Sequence, residues 1–285
     1  MRLNVPTHDA TAVAGAVQAA YLEAFPDGDR MFVPRIFSWA VDCFNGHLED
    51  YLPIDAPYHN FEHTLQGTLC LARLLRGRQL AHAEPSVPRR TFELALLAIL
   101  LHDTGYLKKR DDPSGTGAKY TVVHVRRSAD FAAALLAKQH FDPKEIQAVQ
   151  NMILCTGFNA ALQQIPFQSD AERIAGFALG TADLLGQMAA PDYIDKLPLL
   201  FAEFSEAARH SPDRGHPVAL FKSEAELRKQ TPDFWEGHVR GKLEKDFGGL
   251  YRFLGDPAPA GVNTYVNDVE ANIGRLRREL AGAKS

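Results

Sequence analysis

The sequence predicts an all-α fold, and three observations carry that prediction. Apolar residues recur every three to four positions through most of the 285-residue chain, which is the spacing of one helix face. No pair of alternating segments joined by a tight turn, and no strand-helix-strand pattern, interrupts these runs. Apolar residues make up 46% of the chain, so helices of this kind can bury a sizeable core.

Ten segments have helical spacing, and short breaks rich in Gly, Pro, Asp or Ser separate several of them. The clearest start is at Pro143, because Asp142 is a good N-cap, Pro143 suits the first helical position and Glu145 can complete a capping box. The last segment has an apolar stripe that could pack on the domain or join two copies as a homodimer. The predicted helices are residues 10–25, 31–52, 64–75, 89–102, 122–140, 143–154, 171–188, 193–210, 234–254 and 263–284.

Composition narrows the classes of partner and location. A net charge of −4 and a pI near 6.3 do not predict a surface for long nucleic acids. The longest apolar run, residues 94–101, is far shorter than the roughly 20 residues that span a bilayer, so we expect no membrane segment. Cys43, Cys70 and Cys155 are few, distant and set among apolar residues, which favours reduced thiols and a cytoplasmic location.

His59 and His63 are the first candidate functional pair. They stand four positions apart, so on a helix both imidazoles point to the same face. We interpret His63 as a metal ligand and His59 as a general acid one turn away. Such pairs are also common by chance on helix surfaces, and that alternative stays open for the pair alone.

His102 and Asp103 follow the apolar run of residues 94–101, so the helix that carries them should be buried. An ionised Asp there needs a partner or a metal, because an unpaired buried carboxylate costs several kcal/mol. The alternative is a solvated turn leading into Gly105. Asp183 repeats the pattern as an acidic residue within the apolar segment 174–188, where it could be a ligand or the partner of a buried His or Arg.

These motifs, in this order, resemble the HD superfamily of metal-dependent phosphohydrolases, and the first is similar to its cyclic-nucleotide phosphodiesterase branch. The resemblance covers about residues 55–205. It implies an HD-domain/phosphodiesterase-like helical bundle, in which residues 1–54 form an N-terminal extension, 55–210 the catalytic core and 211–285 C-terminal helices packed on that core. The motifs are Tyr58-His59-Asn60-x-x-His63, His102-Asp103 and Thr181-Ala182-Asp183-Leu184.

The resemblance also implies roles for single residues. His63, His102, Asp103 and Asp183 match metal-ligand positions, and His59 matches the acid that protonates the leaving oxygen. Phosphodiesterases typically continue His-Asp-x-x-His, whereas this chain has Tyr106 at the last position, which puts a second metal in doubt. His124 could complete a second ion's ligands, or it could be a structural histidine.

A phosphate-binding loop is the other candidate feature. Residues 115–121 contain two glycines and Lys119, and Arg127 follows nearby. Glycines allow backbone amides to approach a phosphate, and Lys or Arg can bind its oxygens. The alternative is an ordinary surface turn. The predicted substrate-binding residues are therefore Lys119, Arg127, Asn60 and Tyr106.

The leading hypothesis is a phosphohydrolase for a small-molecule phosphoester, most plausibly a nucleotide or cyclic nucleotide. His59 and Asp103 are its predicted catalytic residues, and one or two divalent ions (Mn, Fe, Ni, Mg or Zn) its cofactor. Two alternatives remain, a di-iron oxygenase of the HD type and a non-catalytic HD domain that binds a nucleotide or a protein partner.

Overall fold

The computed structural model describes residues 5–157, 160–210 and 221–282, and it confirms the all-α fold class. The sequence also predicts a break at residues 211–217, between the predicted helices 193–210 and 234–254, and this break lies outside the described residues. The α-helices found within them are α1 (Ala10–Ala24), α2 (Phe32–Phe44), α3 (Phe61–Leu80), α4 (Arg89–Leu101), α5 (His124–Lys138), α6 (Pro143–Ile153), α7 (Asp170–Met188), α8 (Leu197–His210), α9 (Glu224–Asp233) and α10 (Thr264–Gly282).

One predicted helix is much shorter than the sequence pattern suggests. The predicted segment 31–52 ends as α2 at Phe44. Gly46 has a φ of +75°, and a Cβ at this position would lie 2.7 Å from Pro53 Cδ. The chain therefore turns at a left-handed glycine where it passes close to Pro53, and the apolar residues beyond it are not helical.

The C-terminal region also differs from the prediction. The predicted helix 234–254 consists of two π-helical turns, Phe234–Val239 and Lys242–Asp246, followed by a 3₁₀ turn, Leu250–Leu254. Gly248 and Gly249 both have positive φ and separate the last two elements. The sequence reading missed α9, which begins after the N-cap Ser223, and a two-residue antiparallel ladder between β1 (Gly255–Asp256) and β2 (Val262–Asn263).

The centre of the fold is the close packing of α3 against α7. A Cβ on Gly186 of α7 would lie 2.8 Å from the backbone nitrogen of Gly67 on α3, so the two backbones come together where neither residue has a side chain. His63 lies about one turn before Gly67, and Asp183 about one turn before Gly186. This contact between the glycines therefore brings two of the predicted ligands face to face.

Other helices enclose this pair. Helix α4 packs on both α3 and α7, α1 covers α3, and α10 lies against α7. Buried apolar residues from both ends of the described chain belong to one core, and Cys43, Cys70 and Cys155 are buried there without forming a disulfide. The predicted division of the chain into an N-terminal extension, a core and C-terminal helices, at residues 54 and 210, stays a prediction.

Among the described helices, none combines the length and apolar character that crossing a bilayer requires.

Candidate metal centre

Three helices deliver the four predicted ligands to one buried point. His63 lies in the first turn of α3, where its backbone N–H donates to Oδ1 of the N-cap Asn60 at 3.2 Å. His102 caps the C-terminus of α4, and Asp103 follows it directly. Asp183 projects from α7. Because Asn60 starts α3, it fixes the position of His63 in the helix.

The ligand atoms alternate in type around a common centre. Nε2 of His63 lies 3.2 Å from Oδ2 of Asp103 and 3.2 Å from Oδ1 of Asp183. Nε2 of His102 lies 3.3 Å from each of the same two oxygens. Each carboxylate oxygen therefore stands between two imidazole nitrogens, and His63, His102 and Asp103 form a buried group that could hold a metal ion.

Two of these atoms make no hydrogen bond despite their proximity. Nε2 of His102 and Oδ2 of Asp103 are buried and bond to none of the described residues. Ligand atoms at about 2.0–2.2 Å from a shared ion stand roughly 3 Å apart in octahedral and roughly 3.5 Å apart in tetrahedral geometry. The observed separations of 3.2 to 3.3 Å fall within that interval. The spacing of neighbouring donor atoms is thus that of nitrogen and oxygen ligands around a small divalent ion.

The backbone fixes the orientation of two histidines. Nδ1 of His102 lies 2.6 Å from the carbonyl oxygen of Ile99, and Nδ1 of His124 lies 2.6 Å from that of Thr121. A carbonyl oxygen only accepts, so in each ring Nδ1 carries a proton and donates it. In the neutral form of either ring, the Nε2 lone pair then faces the centre, as metal ligation requires.

Electrostatics favour positive charge at this point. Burial opposes a charged His63, but the carboxylates of Asp103 and Asp183 outweigh it and raise the pKa of His63 to about 10. In turn, His102 and His63 overcome the effect of burial and hold the pKa of both carboxyl groups below the usual range. Two buried carboxylates thus remain ionised, and a divalent cation could replace the protons that they otherwise hold on the imidazoles.

The centre is reached from one side. The side chains of His102 and Asp103 are each 1% exposed, whereas those of Asp183, His59 and His124 are 13%, 15% and 19% exposed. Nε2 of His124 lies 3.8 Å from Oδ1 of Asp103, the oxygen that does not face the other two histidines. We call the point where His63, His102, Asp103 and Asp183 meet the four-ligand centre. Asp103 therefore presents one oxygen to this centre and the other to His124.

Tyr106 is a buried ring that contacts both His59 and His124. Its ring stacks on His59 at a centroid distance of 4.9 Å and on His124 at 4.7 Å, with interplanar angles of 17° and 19°. Burial raises the pKa of Tyr106 well above its usual range, so the ring stays neutral. The residue that stands in place of the expected histidine therefore packs against both imidazoles, whose own centroids lie 5.9 Å apart.

Glu203 of α8 is a residue of the site that the sequence reading missed. Its buried carboxylate accepts from the backbone N–H groups of Tyr58 and His59 at 2.7 and 3.1 Å, and lies 2.5 Å from Nδ1 of His59. Although burial opposes it, the charge and hydrogen bonds of His59 lower the pKa of Glu203, so it stays ionised. Glu203 thus holds His59 with Nε2 directed away from it. The one available signal was an acidic residue in an apolar helical segment.

The start of α5 clamps the turn that follows Asp103. Arg127 donates to the carbonyl oxygens of Gly105 and Leu107, both at 2.7 Å, and Ser128 Oγ accepts from the Gly105 N–H at 2.8 Å. A Cβ on Gly105 would lie 2.0 Å from the carbonyl oxygen of His124. These contacts fix His124 and Tyr106 relative to Asp103.

Lys119 and Arg127 lie in a separate surface depression, the basic depression, and not at the four-ligand centre. Lys119 Nζ pairs with Asp112 and donates to the Ser114 carbonyl, both at 2.7 Å, and the Arg127 guanidinium lies 3.6 Å from the centroid of Tyr120. A second depression lies beside residues 5–8 and 186–192, also apart from the ligand atoms. The basic depression is lined by Asp112, Ser114, Lys119, Tyr120, Val123, Arg127 and His210.

Comparison with known proteins adds a family. The family model described as Npun_R2479-like matches residues 11–250, which is most of the chain. The chain belongs to the Npun_R2479-like family. A search of curated proteins finds no match. The matched region of this Npun_R2479-like protein includes every predicted ligand, together with Glu203.

The predicted site residues therefore fall into two groups. One centre brings together His59, His63, His102, Asp103, Tyr106, His124 and Asp183. Lys119 and Arg127 lie elsewhere, and the side chain of Asn60 bonds to the backbone of His63 and Pro57 at the start of α3. The roles assigned to both groups stay predictions, as does the resemblance to HD phosphohydrolases.

Proposed function

We propose that this Npun_R2479-like protein is a metal-dependent phosphohydrolase acting on a small phosphoester, with a nucleotide or cyclic nucleotide as the leading substrate class. One observation carries the proposal. A largely buried set of two imidazoles and two carboxylates, with the spacing of ligands around a divalent ion, stands beside a partly exposed imidazole held by a separate buried carboxylate.

His63, His102, Asp103 and Asp183 would hold the ion. When bound, a divalent ion supplies charge to phosphoryl oxygens and lowers the pKa of water. Asp103 has a further part in this proposal, because its second oxygen faces His124 and could bind a second ion or orient a water molecule. The metal content per chain decides whether one or two ions bind.

His59 would move the proton. Glu203 accepts from Nδ1–H, so the other ring nitrogen can carry the proton that a departing alkoxide needs. The hydrogen bond to Glu203 keeps the ring in place before and after the transfer. Tyr106 limits its rotation by stacking on one face.

Turnover by protein of known metal content tests the proposal. The protein is freed of metal, reloaded separately with Mn, Fe, Ni, Mg or Zn, and assayed with cyclic nucleotides, nucleoside monophosphates and bis-p-nitrophenyl phosphate. We expect hydrolysis of at least one ester with at least one ion, and none by Asp103→Ala. Metal content per chain is measured on the same samples.

Bound metal with no hydrolysis of any ester would reject the phosphohydrolase. Oxygen consumption with a mixed-valence iron signal would then support the oxygenase hypothesis. Nucleotide binding without turnover would instead support the non-catalytic binding domain. No metal retention by the wild-type protein would reject all proposals that depend on the centre.

A further inference from the structure

The second depression, beside residues 5–8 and 186–192, has a volume of about 310 Å³. Its walls come from the segment before α1, one face of α3, the end of α7 and the start of α10, and none of the four predicted ligands lines it. Ligand-binding cavities in proteins begin at about 300 Å³, so one small molecule can fit. Apolar contact is available from Val5, Leu69, Pro191 and the ring of Tyr265.

The side-chain amide of Gln66 faces this depression without a protein partner. Gln66 is 7% exposed and lines the depression. Within the described part of the chain, no hydrogen bond reaches its amide group, and neither amide atom is fully enclosed by protein. A primary amide has two N–H donors and one carbonyl acceptor, and a buried one left unsatisfied costs about 1–3 kcal/mol. A ligand in the second depression would satisfy it.

The charged groups around the depression favour a cation over an anion. Glu62 and Asp192 both line it, and they share one cation, Lys196, whose Nζ lies 2.8 Å from a carboxylate oxygen of each. Of the described residues that line the depression, His8 alone could add a positive charge. With His8 neutral, two carboxylates therefore face one ammonium group. An anionic ligand would be repelled there, and a ligand with positively charged N–H donors would be attracted.

We propose that the second depression binds a small organic cation, an amine or guanidine on an apolar frame. Its N–H groups donate to the carbonyl oxygen of Gln66 and to the carboxylates of Glu62 and Asp192, and its hydrocarbon part packs on Leu69 and Tyr265. The site needs no metal, and the proposal does not rest on the proposed function.

Binding of a panel of amines tests the proposal at pH 8, where an ordinary imidazole is neutral. The cations are n-butylamine, n-hexylamine, 2-phenylethylamine and benzylguanidine, and the uncharged controls are n-butanol, n-hexanol and 2-phenylethanol. Affinity is measured on the full chain by saturation-transfer NMR titration.

Three variants locate the bound cation. Gln66→Leu removes the amide at similar size, and Asp192→Asn removes one carboxylate charge. Asp195→Asn is the matched control, because Asp195 is an exposed carboxylate three positions away that pairs with Arg275 and does not line the depression. Thermal unfolding of each variant shows that it is folded.

We expect at least one cation to bind saturably, roughly tenfold or more tightly than its matched alcohol. Gln66→Leu should weaken that binding by roughly tenfold or more, Asp192→Asn by about two- to fivefold, and Asp195→Asn should match the wild type. No saturable binding by any cation, or unchanged affinity in Gln66→Leu, would overturn the proposal. If Gln66→Leu does not fold, unchanged affinity in Asp192→Asn would overturn it instead.

Added Zn distinguishes this site from the four-ligand centre. The predicted ligands do not line the second depression, so stoichiometric Zn should leave the affinity for the amine unchanged. Displacement of the amine by Zn would place it at the four-ligand centre and overturn the proposal. The proposed function fails separately, because it depends on hydrolysis that requires Asp103 and not on any contact of Gln66.

Discussion

The four-ligand centre and the basic depression both contain charged side chains, but they differ in how those charges are satisfied. At the centre, Nε2 of His102 and Oδ2 of Asp103 are buried without a hydrogen bond to any described residue. In the basic depression, Lys119 is paired with Asp112, and Arg127 donates to two backbone carbonyls. The difference suggests that the first region is built for a ligand and the second for holding its own loop.

Removal of a ligand at the centre should have the largest effect. We expect Asp103→Ala to weaken metal retention by more than the roughly 10- to 100-fold that loss of a supporting residue causes, and to abolish turnover. Metal content after dialysis against a dilute chelator measures this. Asp112→Ala, from the basic depression, is the matched control and should retain metal. Equal metal content in the two variants would contradict the expectation that metal binds at the four-ligand centre and not in the basic depression.

Loss of the proton donor should have the next largest effect. We expect His59→Ala to keep its metal but to hydrolyse esters with poor leaving groups roughly 10²- to 10⁴-fold more slowly. Esters of p-nitrophenol, which leave without protonation, should lose far less. The ratio of the two rates measures the effect, and an equal loss for both kinds of ester would contradict the general-acid role.

Glu203→Gln refines this test, because the amide keeps the size of the side chain but not its charge. We expect a smaller loss, roughly 10- to 100-fold, again greatest for poor leaving groups. Unchanged kcat for every ester would show that Glu203 acts only as a backbone anchor for residues 58 and 59. Thermal unfolding separates that outcome from general destabilisation.

Arg127→Ala should mainly affect stability. The variant loses two hydrogen bonds from a charged donor, so we expect the free energy of unfolding to fall by about 2 kcal/mol in urea titration. KM should change little if the guanidinium only holds the carbonyl groups of Gly105 and Leu107. A large rise in KM with unchanged stability would instead support the substrate-binding role that the sequence predicts.

Lys119→Ala should have the smallest effect on function. Its ammonium already pairs with Asp112 and lies apart from the four-ligand centre, so KM should change less than twofold. A tenfold rise in KM would place substrate in the basic depression and remove the distinction drawn between the two regions.

Sequence reasoning grouped the predicted ligands better than it placed the elements around them. His102, Asp103 and Asp183 end or interrupt an apolar helical pattern, and His63 stands four positions from His59, so each carries a local signal. Glu203 also interrupts an apolar segment, but it belongs to none of the motifs that drew attention to the others. Its importance depends on α8 passing behind residues 58 and 59, a tertiary contact that no periodicity encodes.

The same limit explains the misplaced helix ends and the fate of Lys119. The end of α2 depends on how closely Gly46 approaches Pro53. The end of the predicted helix 234–254 depends on how Phe247 and the 3₁₀ turn Leu250–Leu254 pack against α7. Lys119 follows two glycines, as phosphate-binding lysines often do, yet its partner proved to be a carboxylate in its own loop. Local composition could not distinguish those outcomes.

The pair Gly67 and Gly186 bears on the size of any ion held at the centre. Their backbones meet without side chains, and the helices they join carry His63 and Asp183. The distance between the axes of α3 and α7 therefore limits how closely His63 and Asp183 can approach a shared ion. We expect a single methyl group at Gly186 to push these helices apart and favour a larger ion, although Gly186 is not one of the predicted ligands.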